Sequence, residues 1–456
     1  MTNLDSTVAA GTANLMAQGV RLLNFWRLED SDIGHVSAAI HMLDLAPGAR
    51  VVDLGSGIGE FARVAHDLRP DLHFTLVNIS EWQLSQSPAS ALTCLGDMAD
   101  TGLPSGNFDA VILAYALGHG DVVDVLEEAY RLLKPGGQVF LHDIFAADHT
   151  VEAAVKQQLN YSAHSAANVR FLAELIGFDV EDTVVDNALT TGSIVETVAP
   201  LLSLLGHGVL LLRKTDRAHR FAGRRVALHF SGGKDSLACL YLLRPFLAKY
   251  ITVYWLNTGD GCPETLEVID QVRQWVPNFI EVRTDVKAWR AEFGDPSDMA
   301  PASAHTLGVA YGMSDSKLVN RFDCCWFNLM LPMHARMKRD GVDAVIRGTK
   351  LCDTGTVPAE GSTADYDVIL PIKDWSHGQV FDYLRSAGSP ENTIYENYKG
   401  ASAPECLTCT AWWDDGKAGY LRDKHPEQFA VYQSKLKAIK VKVLKHLDEL
   451  NAELEV

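Results

Sequence analysis

The sequence holds no long apolar run free of interruption. Its longest apolar stretch, Ile194–Leu212, is broken by Glu196, Pro200 and His207, so it reads as a buried helix followed by a strand and not as a membrane span. Met1–Gly11 lacks a basic segment leading into an apolar core, so no secretory signal is expected there. The expected location is therefore the cytoplasm, with no membrane partner. In that compartment the eight cysteines are expected to stay thiols, metal ligands or redox centres, without a structural disulfide framework. Basic charge is scarce as well: 40 Lys+Arg face 58 Asp+Glu, for a formal net charge of -18. A basic nucleic-acid binder is disfavoured for the whole chain. With 47% hydrophobic and 21% charged residues, 35 Gly and 17 Pro, the disordered, collagen-like and coiled-coil classes drop out too.

The 456 residues suffice for two or three domains. Charge divides them unevenly, with 11 basic and 26 acidic residues in 1–215 against 29 and 32 in 216–456. The two parts carry -15 and -3, which suits two units with different partners, although solubility alone accounts for it equally well. From residue 35 to 215, helical periodicity alternates with short apolar runs at Arg50–Leu54, Phe74–Val77, Ala110–Leu113, Gln138–His142 and Val209–Leu212. That alternation predicts a doubly wound parallel sheet. The polar stretch Lys214–Arg225 interrupts it and marks a domain boundary. A second α/β series follows, with strands expected at Arg225–Phe230, Ile251–Leu256, Ile280–Val282 and Ala344–Arg347, and Glu427–Leu450 reads as a helical tail.

Residues 51–61, VVDLGSGIGEF, run from an apolar strand through a glycine-rich turn into a helix beginning near Glu60. Gly55, Gly57 and Gly59 let the backbone turn sharply and approach a ligand closely. The turn, with LVNIS at the end of the next strand, CLGDMADTGLPSGNFDAVIL and LEEAYRLLKPGGQVFLHD after it, resembles the ordered motifs of class I S-adenosylmethionine (SAM) methyltransferases. The resemblance covers about 35–215. It implies that Gly55, Ser56, Gly57 and Gly59 lie under the methionine and ribose of SAM, with Asp53 orienting water or the amino group. Asn78 stands where many relatives have an acid for the ribose hydroxyls, followed by Ile79 and Gln83, and Asp97 and Met98 flank the adenine. The acceptor is expected near Tyr115–His119 and Tyr161. His119 or His142 is a candidate general base, with a structural histidine as the blander reading of each. Trp26 is a candidate lid residue or a core aromatic.

Residues 226–236, VALHFSGGKDS, again pass from strand to turn to helix, but without the spacing of a Walker loop. The turn resembles the SGGxDS pyrophosphate loop of the ATP pyrophosphatase and phosphoadenylyl-sulfate (PAPS) reductase superfamily. Glycine N–H groups of Gly232 and Gly233, the hydroxyls of Ser231 and Ser236, and the Lys234 ammonium suit phosphates, and Asp235 completes the motif. WLNTGDGCPET at 255–265, with Asn257 and Thr258, VIRGTK at 345–350, with Gly348, Thr349 and Lys350, and LPIKDWSHGQVFDYL at 370–384 resemble later elements of the reductase branch. The resemblance covers about 220–425 and implies a Rossmann-like, adenine nucleotide alpha hydrolase fold. The overall fold class is thus α/β, with two doubly wound domains: a methyltransferase at 1–215, then a PAPS reductase-like domain at 216–456.

Cys324–Cys325 and Cys406-x-x-Cys409 resemble the [4Fe–4S] site of adenylyl-sulfate reductases and of some sulfur-inserting relatives. A zinc site with four cysteine ligands and plain buried thiols are the rivals. The reductases use a mobile cysteine near the C-terminus, whereas this sequence has none after Cys409 and ends HLDELNAELEV. ATP chemistry is therefore expected, with or without magnesium: Lys234 and Asp235 serve adenylation of an acceptor, and sulfur then displaces AMP. Cys262 and Cys352 are candidate persulfide carriers or inert thiols. The expectation is a bifunctional enzyme that methylates and thiolates a small-molecule, nucleobase or nucleic-acid acceptor, the charge giving no sign of nucleic acid. A sulfur- or electron-donor protein is a candidate partner, and the oligomeric state stays open. Two alternatives stand beside it: a sulfonucleotide reductase using an external thiol, and a non-catalytic nucleotide-binding assembly component.

Overall fold

A computed structural model describes residues 13, 31–186, 205–300, 310–312, 317–355, 361–362, 365–398 and 402–455. Trp26, and the 194–204 part of the apolar stretch, lie outside the described residues. The chain divides into two compact units, Met1–Ala222 and Gly223–Val456.

The first unit is built on seven strands: β1 (Arg50–Leu54), β2 (His73–Asn78), β3 (Leu92–Leu95), β4 (Phe108–Ala114), β5 (Leu133–Ala146), β6 (Phe178–Asp186) and β7 (Leu205–Lys214). Their order is β3-β2-β1-β4-β5-β7-β6. The strands from β1 to β5 pair in parallel. β7 runs antiparallel to both β5 and β6, so the sheet is mixed where the sequence suggested purely parallel pairing. Strand direction is fixed by the connection and not by the apolar run, which is why LLL at 210–212 could not reveal it. The Pro-Gly-Gly turn lies inside β5, where the register against β4 shifts between Phe108 and Ala110. Helix Asp32–Leu43 buries His35, Val36, Ala39, Ile40 and Leu43 along one stripe, and these apolar side chains join a core with Val51, Phe61, Ile112 and Phe140. Strand order reverses between β1 and β4, so the loops after these two strands diverge and leave a crevice.

The second unit repeats the logic with β8 (Val226–His229), β9 (Ile251–Asn257), β10 (Phe279–Arg283), β13 (Ala344–Ile346) and β15 (Asp367–Ile369), all parallel, in the order β10-β9-β8-β13-β15; β14 (Gly361–Ser362) closes the edge antiparallel to β15. Here the order reverses between β8 and β13. A separate parallel pair, β11 (Asp295–Ser297) and β12 (Leu318–Asn320), leads into helix Arg321–Cys325, which continues through a π-helical turn, Trp326–Met330, into helix Leu331–Asp340. Pro332 lacks the N–H that a regular helix would use there, and π turns often accompany functional sites. The tail forms helix Pro426–Leu454.

Candidate functional site

In the first unit, the loop after β1 takes left-handed backbone at Gly55, Gly57 and Gly59 (φ 75°, 56° and 73°). A Cβ at Gly55 would stand 2.7 Å from the Ala116 Cβ, whereas one at Gly57 would meet nothing within 4 Å. The first glycine therefore lets two loops touch, and the second leaves open space. Ser56 Oγ is buried without a hydrogen-bond partner in that loop. Asp53, 3% exposed at the end of β1, has its carboxyl pushed up to about 7 by burial. The Asn78 amide donates to Gly57 O (3.1 Å) and to Gln83 Oε1 (2.8 Å), while its oxygen accepts from Ser80 N. Asn78 and Gln83 thus brace the glycine loop, a role the sequence did not suggest for them. Ile79 is exposed beside them, and Met98 reaches within 3.7 Å of the position a Gly55 Cβ would take. Asp97 turns back to accept from Ala99 N.

The two candidate bases differ. His142 is fully buried, its ring 5.0 Å from that of His35 and 6.0 Å from that of His207. Burial first, then those two histidines, holds its pKa well below the usual imidazole range. It is a core histidine, and the structure corrects its candidacy as a base. His119 keeps an exposed edge, with its ring packed edge-on against Tyr161 at 4.8 Å; desolvation of the packed face, then Lys156, lowers its pKa. Beside it Tyr161, expected near the acceptor, pairs with Asp143, which the sequence did not single out. Tyr161 donates to Asp143 Oδ1 at 2.5 Å, and Asp143, held by Leu117 N and Ile144 N, is pushed up to about 7 by burial. The adjoining Tyr115 is left-handed (φ 53°), an uncommon conformation for a bulky residue.

In the second unit the Ser231–Ser236 loop leaves β8 and opens helix Lys234–Leu242. Gly232 is left-handed, and a Cβ there would come 2.8 Å from Ile269 and Thr265. The two serine hydroxyls lie 3.2 Å apart, and Ser236 donates to Gly233 O, so they hold the turn's shape. Gly348 allows the loop after β13 to abut the main chain of Asp235, 2.7 Å from where its Cβ would be. A chain of charges follows: Lys234 Nζ lies 2.9 Å from Asp235 Oδ2, Asp235 Oδ1 lies 2.6 Å from Lys350 Nζ, and Lys350 lies 2.8 Å from Asp353 Oδ2. Lys350 is fully buried. Burial alone would lower its pKa, but the two carboxylates outweigh that and raise it. Ser231, Gly233, Asp235, Ser236, Gly348 and Thr349 line a cavity of about 750 Å³. Asn257 and Thr258 stand apart from this cavity. Asn257 donates to Glu281 Oε1 (2.7 Å), and Thr258 is buried and accepts from the Cys406 thiol (3.6 Å). Thr258 therefore faces Cys406, while with Asn257 and Ser231 it lines a small adjoining pocket.

Cys324, Cys325, Cys406 and Cys409 line a second cavity, of about 430 Å³. Burial pushes Cys325 and Cys406 up to about 12, so these thiols would ionise only against a cation. Arg290 supplies one. It is buried, bonds Asp260 (3.2 Å) and Thr408 (3.3 Å), and its pKa, which burial would lower, is raised by Cys406, Cys324 and Cys409. Asp260 in turn fixes the cysteine loop by accepting from Thr408 N and Thr408 Oγ1, while Lys417 donates to Cys406 O. Asp260 falls within the quoted stretch at 255–265 but was not singled out there, and no sequence motif marks Arg290 or Lys417, whose partners lie outside any local pattern. The two cavities share Leu329, Asp353, Ser402, Ala403 and Glu405. A tetrahedral zinc with bonds of ~2.3 Å would set its sulfurs about 3.8 Å apart. Among the described residues, the one set of three metal-ligating side chains whose ligand atoms fall within 4.8 Å of one another is Cys352, Asp353 and His377. No three of the four cysteines form such a set. Cys262 is buried, its thiol held at Pro404 O and pushed up to about 12, whereas Cys352 is exposed.

Residues 52–141 match the family model described as a methyltransferase domain, and residues 225–411 match that of a phosphoadenosine phosphosulfate reductase domain. The chain is 31% identical over 113 residues to a sterol 24-C-methyltransferase of Gibberella zeae, covering 23% of this chain and 30% of that protein. It is 26% identical over 144 residues to a malonyl-[acyl-carrier protein] O-methyltransferase of Dechloromonas aromatica, covering 30% and 55%. It thus spans about half or less of the length of these curated relatives. Among solved structures, phosphoethanolamine N-methyltransferase 2 of Haemonchus contortus, determined with S-adenosyl-L-methionine, aligns with a TM-score of 0.35 and 18% identity over 40% of this chain and 53% of that one.

Proposed function

Because the chain joins a methyltransferase domain to a phosphoadenosine phosphosulfate reductase domain, we propose that it is a bifunctional enzyme which transfers methyl from SAM in its first unit and sulfur, with ATP, in its second. The observation that carries the sulfur-transfer reading is the contiguity of the phosphate-loop cavity with the cysteine-lined cavity, which share Asp353, Ala403 and Glu405.

In the second unit, the Ser231–Ser236 loop offers backbone N–H groups to the triphosphate, while Lys234, buried and paired with Asp235, holds a cation behind that loop. Lys350, held in place by Asp235 and Asp353, keeps the loop after β13 against the phosphate loop. An acceptor oxygen attacks the α-phosphorus, pyrophosphate leaves, and a sulfur nucleophile then displaces AMP from the activated carbon. Most of the catalytic effect comes from positioning and from charge fixed before the reaction. Cys324, Cys325, Cys406 and Cys409 would hold a [4Fe–4S] cluster, which supplies sulfur-binding or electron-transfer chemistry when present. In the first unit the open space over Gly57 suits the backbone-hugging part of SAM, Asp53 its amino group, and exposed Ile79 its adenine. Methyl transfer then needs little more than alignment of an acceptor near His119 and Tyr161. A small molecule or nucleobase suits this site, with a separate protein as sulfur donor.

The test is mass spectrometry of small molecules and nucleic acids from cells with and without the chain, together with pyrophosphate release by the purified protein. An acceptor that gains sulfur and methyl, and pyrophosphate released from ATP only in its presence, support the reading; ATP left intact with every acceptor that gains mass overturns the sulfur half. The match to the reductase family over 225–411 favours a second reading, reduction of a sulfonucleotide by an external thiol. Sulfite formed from a sulfonucleotide plus thioredoxin would select it.

A further inference from the structure

We infer that Cys352 is the thiol that takes up the sulfur, with His377 as its base and Asp353 as the residue that positions His377; this rests on the sulfur-transfer reading and names the residue at which sulfur enters. Cys352 Sγ, a carboxylate oxygen of Asp353 and a ring nitrogen of His377 lie within 4.8 Å of one another. Cys352 sits on the short helix Leu351–Thr354, and its exposed thiol is directed at Trp375 O (3.3 Å). His377 comes from a different element, where it is the first residue of helix His377–Ser386, and its Nε2 lies 3.5 Å from Asp353 Oδ1. The other carboxylate oxygen of Asp353 holds Lys350, so one side chain joins the histidine to the Lys350–Asp235–Lys234 chain of the phosphate loop. A cysteine beside a histidine that stands within ion-pair range of a carboxylate is an arrangement by which thiols become nucleophiles. Cys262, the other thiol near the nucleotide loops, is buried and its thiol is pushed up by that burial.

The step conserves atoms and electrons. His377 accepts the Cys352 proton, and the thiolate attacks the outer sulfur of a donor persulfide, R–S–SH. The donor's S–S bond breaks as the new one forms. The donor leaves as a thiolate and takes the proton back from His377, giving R–SH and the Cys352 persulfide.

Glutathione persulfide offered to the full chain under anaerobic conditions, followed by alkylation and peptide mass spectrometry, tests this. One added sulfur on the Cys352 peptide is expected, lost in Cys352→Ser and formed at least about tenfold more slowly in His377→Gln. His377 is partly exposed, so the glutamine variant keeps its fold, and an unchanged thermal midpoint checks that. Iodoacetamide should alkylate Cys352 more slowly by a similar factor in the same variant. The inference is overturned if sulfur accumulates on other cysteines while Cys352 stays bare, or if His377→Gln loads at the rate of the unaltered chain. It is also overturned if Cys352 is shielded by zinc that Cys352→Ser no longer binds, since the triad is then a metal site. Acceptor-dependent pyrophosphate release and thiolation that persist in Cys352→Ser would sink this assignment alone; Cys352 that loads without any pyrophosphate release would leave it standing and sink the ATP reading.

Discussion

Asp53 is 3% exposed at the end of β1, with its carboxyl pushed up to about 7. A carboxyl whose folded pKa lies above its unfolded value, near 3.8, favours the fold most while both states are protonated. That contribution is lost as pH rises from about 4 through about 7, and the whole loss is roughly 4 kcal/mol for a shift of this size. Asp143, raised in the same way, adds a loss of the same sign in the same window. Asp53→Asn is therefore expected to flatten part of the decline in the first unit's stability between about pH 5 and 7.5, as followed by urea denaturation. An identical decline in the variant would mean that Asp53 is ionised at no cost. Lys350 illustrates the opposite balance, since two carboxylates at 2.6 and 2.8 Å offset its burial and it stays charged where a lone buried ammonium would not.

At the scale of elements, the two glycine loops look alike in sequence and differ in what surrounds them. Gly57 faces open space, so Gly57→Ala is expected to cost only the left-handed backbone penalty of roughly 1–2 kcal/mol while its methyl intrudes on that space, which we propose SAM occupies. Gly232→Ala meets Ile269 and Thr265 at 2.8 Å in addition, so it should lower the melting temperature of its unit further. Differential scanning fluorimetry with SAM titration separates the two: a Gly57→Ala chain that binds SAM normally would count against this loop as the cofactor site. The strands that precede both loops were legible because each is a short apolar run between turn residues. β3 and β6 were not, since LTCL is largely exposed and FDVEDTVVD is laced with acids. The site was legible where a motif is local, as in SGGKDS or the paired cysteines. It was illegible where partners meet only in the fold: His377 lies 25 residues beyond Cys352, and Arg290 reaches Asp260 and Cys406 from a helix without any cysteine. Asn78 shows the remaining difficulty, because an amide suited to ribose hydroxyls is equally suited to holding Gly57 O and Gln83.

For the whole molecule, two compact units with separate sheets and separate cores imply separate ligand linkage. Calorimetry of the full chain is expected to resolve two transitions, SAM raising one and ATP the other, by about 2.7 kcal/mol of added stability at roughly a hundredfold excess over Kd. A single transition raised by both ligands would show that the units unfold as one. The acidic surplus of 1–215 and the near balance of 216–456 fit a cationic ligand in the first and a polyanionic one in the second. Within the second unit, Ser402, Ala403 and Glu405 border both the phosphate-loop and the cysteine cavities. The two cavities therefore have a wall in common, and a ligand that displaces these residues from one side reshapes the other. Occupancy of one is thereby linked to occupancy of the other, and by thermodynamic necessity the linkage has the same size in both directions.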